Sequence, residues 1–360
     1  MSEPIDLDPA PPAEVSAPSL RFPFETPPAP AELIEVAPRV HWLRMPLPFS
    51  LEHINLWILE GRDHWTLVDT GISTDTTREL WQQLDAGPLA GKPVTGVICT
   101  HMHPDHMGLA GWLCQRHGVP LHMTRGEYLY GRMLCNDAPG EPPSEALAFY
   151  RAAGFSEKAL GHYTSTFGLF ATAVAPLPRE YARLQGGQRL HLAEYEWRVL
   201  IGRGHSPEHA CLYCAELKLL IAGDQILPSI SSNVSVWPTE SQANPLEEWL
   251  ESCAALRAQL PEDTLVLPSH GLPFFGAQQR LTQLIEHHEE SLDDLYRACR
   301  EPLRVLDTFE VLFSRPIQSG EKTIATGEAL AHLRQLERRG LVSAQRDADG
   351  VDWYQQAQRN

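Results

Sequence analysis

A chain of 360 residues, 43% of them hydrophobic, is long enough to bury one full core and a second small one. Its 46 acidic against 29 basic residues give a formal charge of −17, which repels polyanions and makes nucleic acid a disfavoured partner. No apolar run reaches the roughly 18 residues of a membrane span, and the start Met1-Ser2-Glu3-Pro4 is acidic rather than basic then apolar, so the expectation is a soluble cytoplasmic protein with no membrane partner.

Nine of the 30 prolines fall between Pro4 and Pro30, and residues 1–36 read as a mobile or loosely draped arm. From about Ala37 the pattern turns to short β-rich runs: Val40 to Leu43, His53 to Leu59 and Trp65 to Asp69. The turn residues Gly61-Arg62-Asp63 make the last two a hairpin. Ser73 to Leu84 follows as a helix with Leu80, Trp81 and Leu84 at helical spacing. The strand Val94 to Cys99 runs into Thr100-His101-Met102-His103-Pro104-Asp105-His106, and a helix from about Gly108 to His117 ends at Gly118.

An insertion of about residues 126–185 reads as helical and aromatic and is placed to roof a pocket. Its aromatics are mostly core by their helical spacing, with Tyr128, Tyr163 and Phe167 the candidates for the pocket wall. Trp197 to Ile201 resumes the β pattern, Ala210 to Glu216 and Leu219 to Ala222 form a hairpin about Leu217-Lys218, and Thr264 to Leu267 is a further buried strand. The polar stretch Ser229 to Asn233, with Trp237, is either a substrate-contacting loop or plain surface. Seven cysteines in apolar runs suit reduced core thiols, and Cys211 and Cys214, three apart on a strand, point to opposite faces instead of forming a dithiol.

A helix from Ala277 to Arg300 leads into a C-terminal unit, residues 286–360, that looks separate from the domain of residues 37–285. There Glu328 to Arg339 is helical, and Leu341 to Gln345 and Val351 to Tyr354 flank the turn Asp347-Ala348-Asp349-Gly350. Helix plus terminal hairpin is the pattern of a winged-helix unit.

The chemistry concentrates in the loop after Cys99. Four metal-competent side chains within six residues, His101, His103, Asp105 and His106, cannot face one way on a strand or a helix, but a loop can turn them to a common centre. A cation such as zinc takes imidazole and carboxylate at about 2.0–2.2 Å and needs three or four ligands. Three remote positions stand ready to complete the set: His205 after Gly204, Asp224 after Gly223, and His270 in Ser269-His270-Gly271. The remaining histidines, His53 and His209 among them, fall in no ligand motif.

With Asp69-Thr70-Gly71, these motifs stand in the order of the metallo-β-lactamase superfamily, and the chain resembles its glyoxalase-II-like hydrolases from about Ala37 to the C-terminus. The resemblance implies an α/β fold, a four-layer αββα sandwich with the helical insertion and a small C-terminal winged-helix-like domain. It implies two divalent metal ions, zinc foremost and iron or manganese also fitting: one on His101, His103 and His205, the other on Asp105, His106 and His270, with Asp224 between them. Asp69 would orient a ligand histidine or the attacking water. Asp105 would be the catalytic residue, steering a metal-bridging hydroxide to a carbonyl.

The expected activity is hydrolysis of a small acyl substrate, a thioester of acyl-CoA or acyl-glutathione type. A lactonase or β-lactamase-like hydrolase, a metal-dependent nuclease and a mononuclear iron persulfide oxygenase are the alternatives. The tail argues against the nuclease: from Glu301 to Asn360 eight Lys and Arg stand against nine Asp and Glu. It reads instead as a packing module, and an acidic chain with such a unit is a candidate homodimer.

Overall fold

The structure, a computed structural model, describes residues 20–48 and 51–358. Seven strands form a first sheet in sequential order: β1 (Ile34–Ala37), β2 (Val40–Pro46), β3 (His53–Glu60), β4 (Trp65–Val68), β5 (Val94–Ile98), β6 (Leu121–Thr124) and β7 (Ala182–Leu184). β1 to β4 pair antiparallel and β4 to β7 parallel. The second sheet holds β8 (Arg189–Leu192), β9 (Tyr195–Gly202), β10 (His209–Cys214), β11 (Leu219–Gly223), β12 (Leu265–Pro268) and β13 (Phe274–Phe275). Its β11–β12 pair is parallel and its other pairs are antiparallel.

Alternation along the strands stacks these sheets face to face. Trp42, Trp57, Val68 and Ile98 from the first meet Trp197, Val199, Leu212 and Leu267 from the second in one buried cluster. Trp42, Trp57 and Trp197 are fully buried, each stabilising the sandwich by roughly 2–3 kcal/mol relative to exposure. The outward face of the first sheet, through Leu43, Leu56 and Val97, packs on α1 (Asp75–Ala86) and α3 (Ala110–His117), which flank the short α2 (Pro104–Met107). α1 starts where Thr74 accepts from Thr77 N, and α3 stops at the left-handed Gly118. In the insertion lie α4 (Arg125–Leu134), α5 (Ser144–Ala152) and α6 (Glu157–Thr166). Leu200, Cys211 and Leu220 on the outward face of the second sheet meet α7 (Pro245–Gln259) and α8 (Ala277–Ala298). This is the four-layer αββα arrangement. Cys211 and Cys214, both free and buried, lie on opposite faces of β10.

Several boundaries shift from the sequence expectation. Residues 1–19 of the proline-rich arm lie outside the described residues, while Arg21 pairs by backbone with Phe275 and Phe24 packs edge-on to Trp42. The sheet begins at Ile34, ahead of Ala37. The insertion is not helical to its end, since Ala182–Leu184 is the edge strand β7. The strands β6 and β8, and the helix α7, were not expected.

The C-terminal segment holds β14 (Leu303–Arg304), α9 (Phe309–Leu312), α10 (Lys322–Arg338), β15 (Val342–Arg346) and β16 (Asp352–Gln356), with sheet order β14-β16-β15. Asp347 Oδ1 accepts from the backbone N–H groups of Asp349 and Val351 and closes the hairpin turn. This segment packs directly on the sandwich. The expected boundary at 285/286 falls inside α8, and Ala329, Leu333, Leu336, Val342 and Tyr354 join the same core cluster as Leu220, Trp249 and Leu281. The apolar face of α10 packs on residues of the sandwich. Among the described residues no helix is long and apolar enough to cross a membrane.

Candidate metal centre

The candidate ligands come from loops at the C-terminal ends of β5, β9, β11 and β12, and Asp69 follows β4. Backbone bonds from Ala210 N to Thr100 O (2.8 Å) and from Asn55 N to Ser269 O (2.7 Å) tie the two sheets together at that edge. Pro104 occupies the first turn of α2 with His103 extended before it. That bend leaves His103 beside His101 and carries Asp105 and His106 onto the helix.

All seven residues converge. His101 Nε2 lies 2.9 Å from His103 Nδ1 and 3.3 Å from His205 Nε2. His106 Nε2 and His270 Nε2 lie 3.5 and 3.4 Å from Asp105 Oδ2. Asp224 stands between the two groups: Oδ2 is 3.5 Å from His205 Nε2 and 3.9 Å from His101 Nε2, while Oδ1 is 3.4 Å from His106 Nε2 and 3.6 Å from His270 Nε2. The donor atoms of His101, His103, His205 and Asp224 lie within 4.8 Å of one another, as do those of Asp105, His106 and His270. Each group fits one cation.

The electrostatics ask for positive charge. Burial alone would lower the His106 pKa, but Asp105, Asp224 and Asp69 overcome it and hold it well above its ordinary value. Burial would likewise raise Asp224, yet His106 and His270 hold it well below the carboxylate range. His101 and His103, with weaker carboxylate support, are instead driven down by burial, His103 to about 3, and so present neutral nitrogens. His106 Nε2 and Asp224 Oδ1 are buried with no hydrogen-bond partner among the described residues. Orphaned atoms of this kind cost about 1–3 kcal/mol each, and a divalent cation between them satisfies both. The donor set fits a nitrogen- and oxygen-liking metal.

Behind the ring nitrogens, acceptors fix the tautomers. Asp69 Oδ2 lies 2.8 Å from His106 Nδ1, and the same carboxylate accepts from Thr100 N and Thr100 Oγ1. The carbonyl oxygens of Asn233 and His53 accept from His205 Nδ1 (2.7 Å) and His270 Nδ1 (2.8 Å). In each case Nε2 is left facing the centre.

Three of these supports carry no sequence motif. Glu127 at the start of α4 is fully buried and accepts from Met102 N, Ser206 Oγ and Glu208 N, joining the loop of His101 and His103 to the loop of His205. His209 stacks on the His101 ring (centroids 4.7 Å apart), and its Nε2 accepts from Asp224 N. His53, assigned no role from its sequence context, holds the His270 loop through its carbonyl and through Nε2, which accepts from Gly271 N. Close approach also explains two glycines: a Cβ on Gly204 would sit 2.5 Å from Pro245 O, and one on Gly223 2.4 Å from His209 Nε2.

The expected pocket aromatics lie in the insertion. Tyr128 is 3% exposed, stacks on Tyr181 and donates its hydroxyl to Pro178 O, a core position. Tyr163 and Phe167 pack against one another beside Tyr150 in the insertion.

Comparison with known proteins agrees with this geometry. The profile of the metallo-beta-lactamase superfamily matches residues 50–270, and that of the metallo-beta-lactamase-like C-terminal domain matches residues 292–357. The chain is 24% identical over 308 residues to the probable metallo-hydrolase YqjP of Bacillus subtilis (strain 168), covering 84% of this chain and 93% of that one. It is 21% identical over 257 residues to the human acyl-coenzyme A thioesterase MBLAC2, covering 69% and 83%. The crystal structure of a beta-lactamase domain protein from Burkholderia ambifaria superposes with a TM-score of 0.86 at 41% identity, over 94% of this chain and 98% of that one. With the sandwich, the clustered histidines and aspartates and the matched profiles in agreement, the chain belongs to the metallo-β-lactamase superfamily and is a metallo-hydrolase.

Proposed function

We propose that the chain is a two-metal hydrolase of carbonyl esters whose substrate is an acyl thioester. The placement of Asp224, one carboxylate oxygen toward each donor group, carries the two-metal part. Two cations held there supply a water of near-neutral pKa and an electrophile for the carbonyl oxygen. The protein's part is to hold geometry and protons. His101, His103 and His205 would hold one cation, and His106 and His270, with Asp105, the other. Asp105, whose side chain keeps 15% exposure, accepts a hydrogen bond from the attacking water and orients its lone pair. No serine or cysteine nucleophile is required. Zinc is the ion expected, and iron and manganese suit the same donors.

The thioester reading draws on the thioesterase activity named for the human relative and on the aromatic insertion, α4 to α6, as a receiver for an acyl chain. Nucleic acid is disfavoured by the surface of α10. Arg339 is bound bidentately by Glu289 and Arg334 pairs with Glu337, while Ala325 to Gly327 and Ala329 to Leu333 are buried. A helix so buried and self-paired offers little to a phosphate backbone.

The test is a panel of acyl-CoA, acyl-glutathione, homoserine lactone and cephalosporin substrates, with single-stranded RNA, given to metal-loaded protein. Thioester turnover that vanishes in His103→Ala and Asp105→Ala supports the proposal. Turnover of RNA alone sinks the carbonyl reading, and one iron per chain with oxygen consumption sinks the hydrolytic two-metal one.

A further inference from the structure

Beyond its fold, α10 reaches the metal centre through a short chain of contacts. Glu328 Oε2 accepts from Asn233 Nδ2 at 2.9 Å. The other end of that amide, Asn233 Oδ1, accepts from Ser235 Oγ at 2.6 Å, so the side chain is oriented from both sides. The backbone carbonyl of the same Asn233 accepts from His205 Nδ1 at 2.7 Å. Val236 N donates to Gly327 O at 3.0 Å and fastens the next turn of the loop to the helix.

The helix pays a local cost for this approach. Glycine in a helix interior is about 1 kcal/mol less favourable than alanine, yet Gly327 sits inside α10. A Cβ there would lie 2.7 Å from Ser235 Cβ and 3.0 Å from Val236 O. Only a bare Cα lets α10 come close enough for Glu328 to meet Asn233.

We infer that Glu328 is a positioning residue for the metal centre: by holding Asn233 it fixes the carbonyl that sets the tautomer and direction of His205. The inference rests on the reading of His205 as a metal ligand. The C-terminal segment thereby helps hold one ligand of the sandwich in place, which agrees with their shared core. Burial pushes the Glu328 carboxyl up to about 7. Both its protonated and its ionised forms keep an acceptor oxygen for the amide, so glutamine is a fair replacement and alanine is not.

The experiment is zinc(II) titration of the full chain in competition with a chromogenic chelator, with thermal melting alongside, for wild type, Glu328→Ala, Glu328→Gln, Asn233→Ala and His103→Ala. Glu328→Ala and Asn233→Ala are expected to weaken zinc binding by about 10-fold, the lower end of the range for groups behind a ligand, and Glu328→Gln to restore it. Unchanged zinc affinity in folded Glu328→Ala, or glutamine as defective as alanine, overturns the inference. Should Glu328→Ala not fold, Asn233→Ala decides: weakened binding supports the inference and wild-type binding overturns it. His103→Ala keeps the two readings apart. Wild-type protein that binds no more zinc than His103→Ala removes the metal centre, and this inference with it.

Discussion

Asp69 offers the sharpest single-residue test of how the centre is held. It is fully buried, and its backbone is left-handed at φ +62, a conformation asparagine tolerates well, so Asp69→Asn changes the hydrogen bonding with little backbone penalty. The amide oxygen stays opposite Thr100 N, whose position the backbone fixes at 2.7 Å from Oδ1. The new NH2 then takes the place of Oδ2, 2.9 Å from Thr100 Oγ1 and 2.8 Å from His106 Nδ1. The hydroxyl turns to accept, but His106 does not have that freedom. To avoid two facing donors its proton moves to Nε2, the atom that faces Asp105 and Asp224, and a protonated nitrogen binds no metal. Outer contacts of this kind are worth about 10- to 100-fold in metal affinity, or roughly 1.4–2.7 kcal/mol. Chelator competition reads this directly. Asp69→Asn binding zinc as tightly as wild type would refute the role given to Asp69.

Three other perturbations follow from the same network. Glu127→Ala strands two backbone N–H groups and a hydroxyl; at about 1–3 kcal/mol per buried orphan it should cost about 3–9 kcal/mol in chemical denaturation and weaken zinc binding, and a wild-type denaturation curve contradicts this. Gly223→Ala puts a methyl 2.4 Å from His209 Nε2 on a left-handed backbone, so a loss of about 1–3 kcal/mol together with weaker zinc binding is expected, and unchanged zinc affinity would show that His209 is incidental to the centre. His288 and His332 face one another at 3.3 Å beside Ser231 and His287, and burial lowers both, His332 to about 4 and His288 well below the ordinary 6.5. The unfolded chain therefore binds more protons, so their contribution is whole above pH 6.5 and is lost as pH falls toward 4. Between pH 6.5 and pH 5 His332 removes roughly 1.6 kcal/mol, and His332→Gln should flatten the slope of unfolding free energy against pH; an equal slope in that variant would show that His332 does not titrate.

The metal cluster was legible because its chemistry is dense. Four donors crowd into His101 to His106, and the remote His205, Asp224 and His270 each follow a strand and adjoin a glycine. The two-sheet core was legible for a similar reason, since runs such as His53 to Leu59 carry alternating large apolar residues into both faces. What stayed hidden depends on contacts distant in sequence. Glu127 looks like any acidic residue in a first helical turn, and its three donors lie 25, 79 and 81 residues away. β6 and β7 are four and three residues long, too short for a period to emerge. The packing of the C-terminal unit on the sandwich stayed hidden because helix plus hairpin reads as a self-sufficient pattern. The small residues Ala325, Gly327, Ala329 and Ala331, which let α10 lie close to its neighbours, read as ordinary helix formers or a tolerated glycine.

Native mass spectrometry of zinc-loaded protein tests the central claim most directly, because it counts ions on each intact chain. Two zinc ions per chain are predicted for wild type, with Asp224→Ala losing occupancy at both positions because its carboxylate faces both donor groups. A wild-type chain saturating at a single ion, or an Asp224→Ala variant that still holds two as tightly, would contradict the two-metal account.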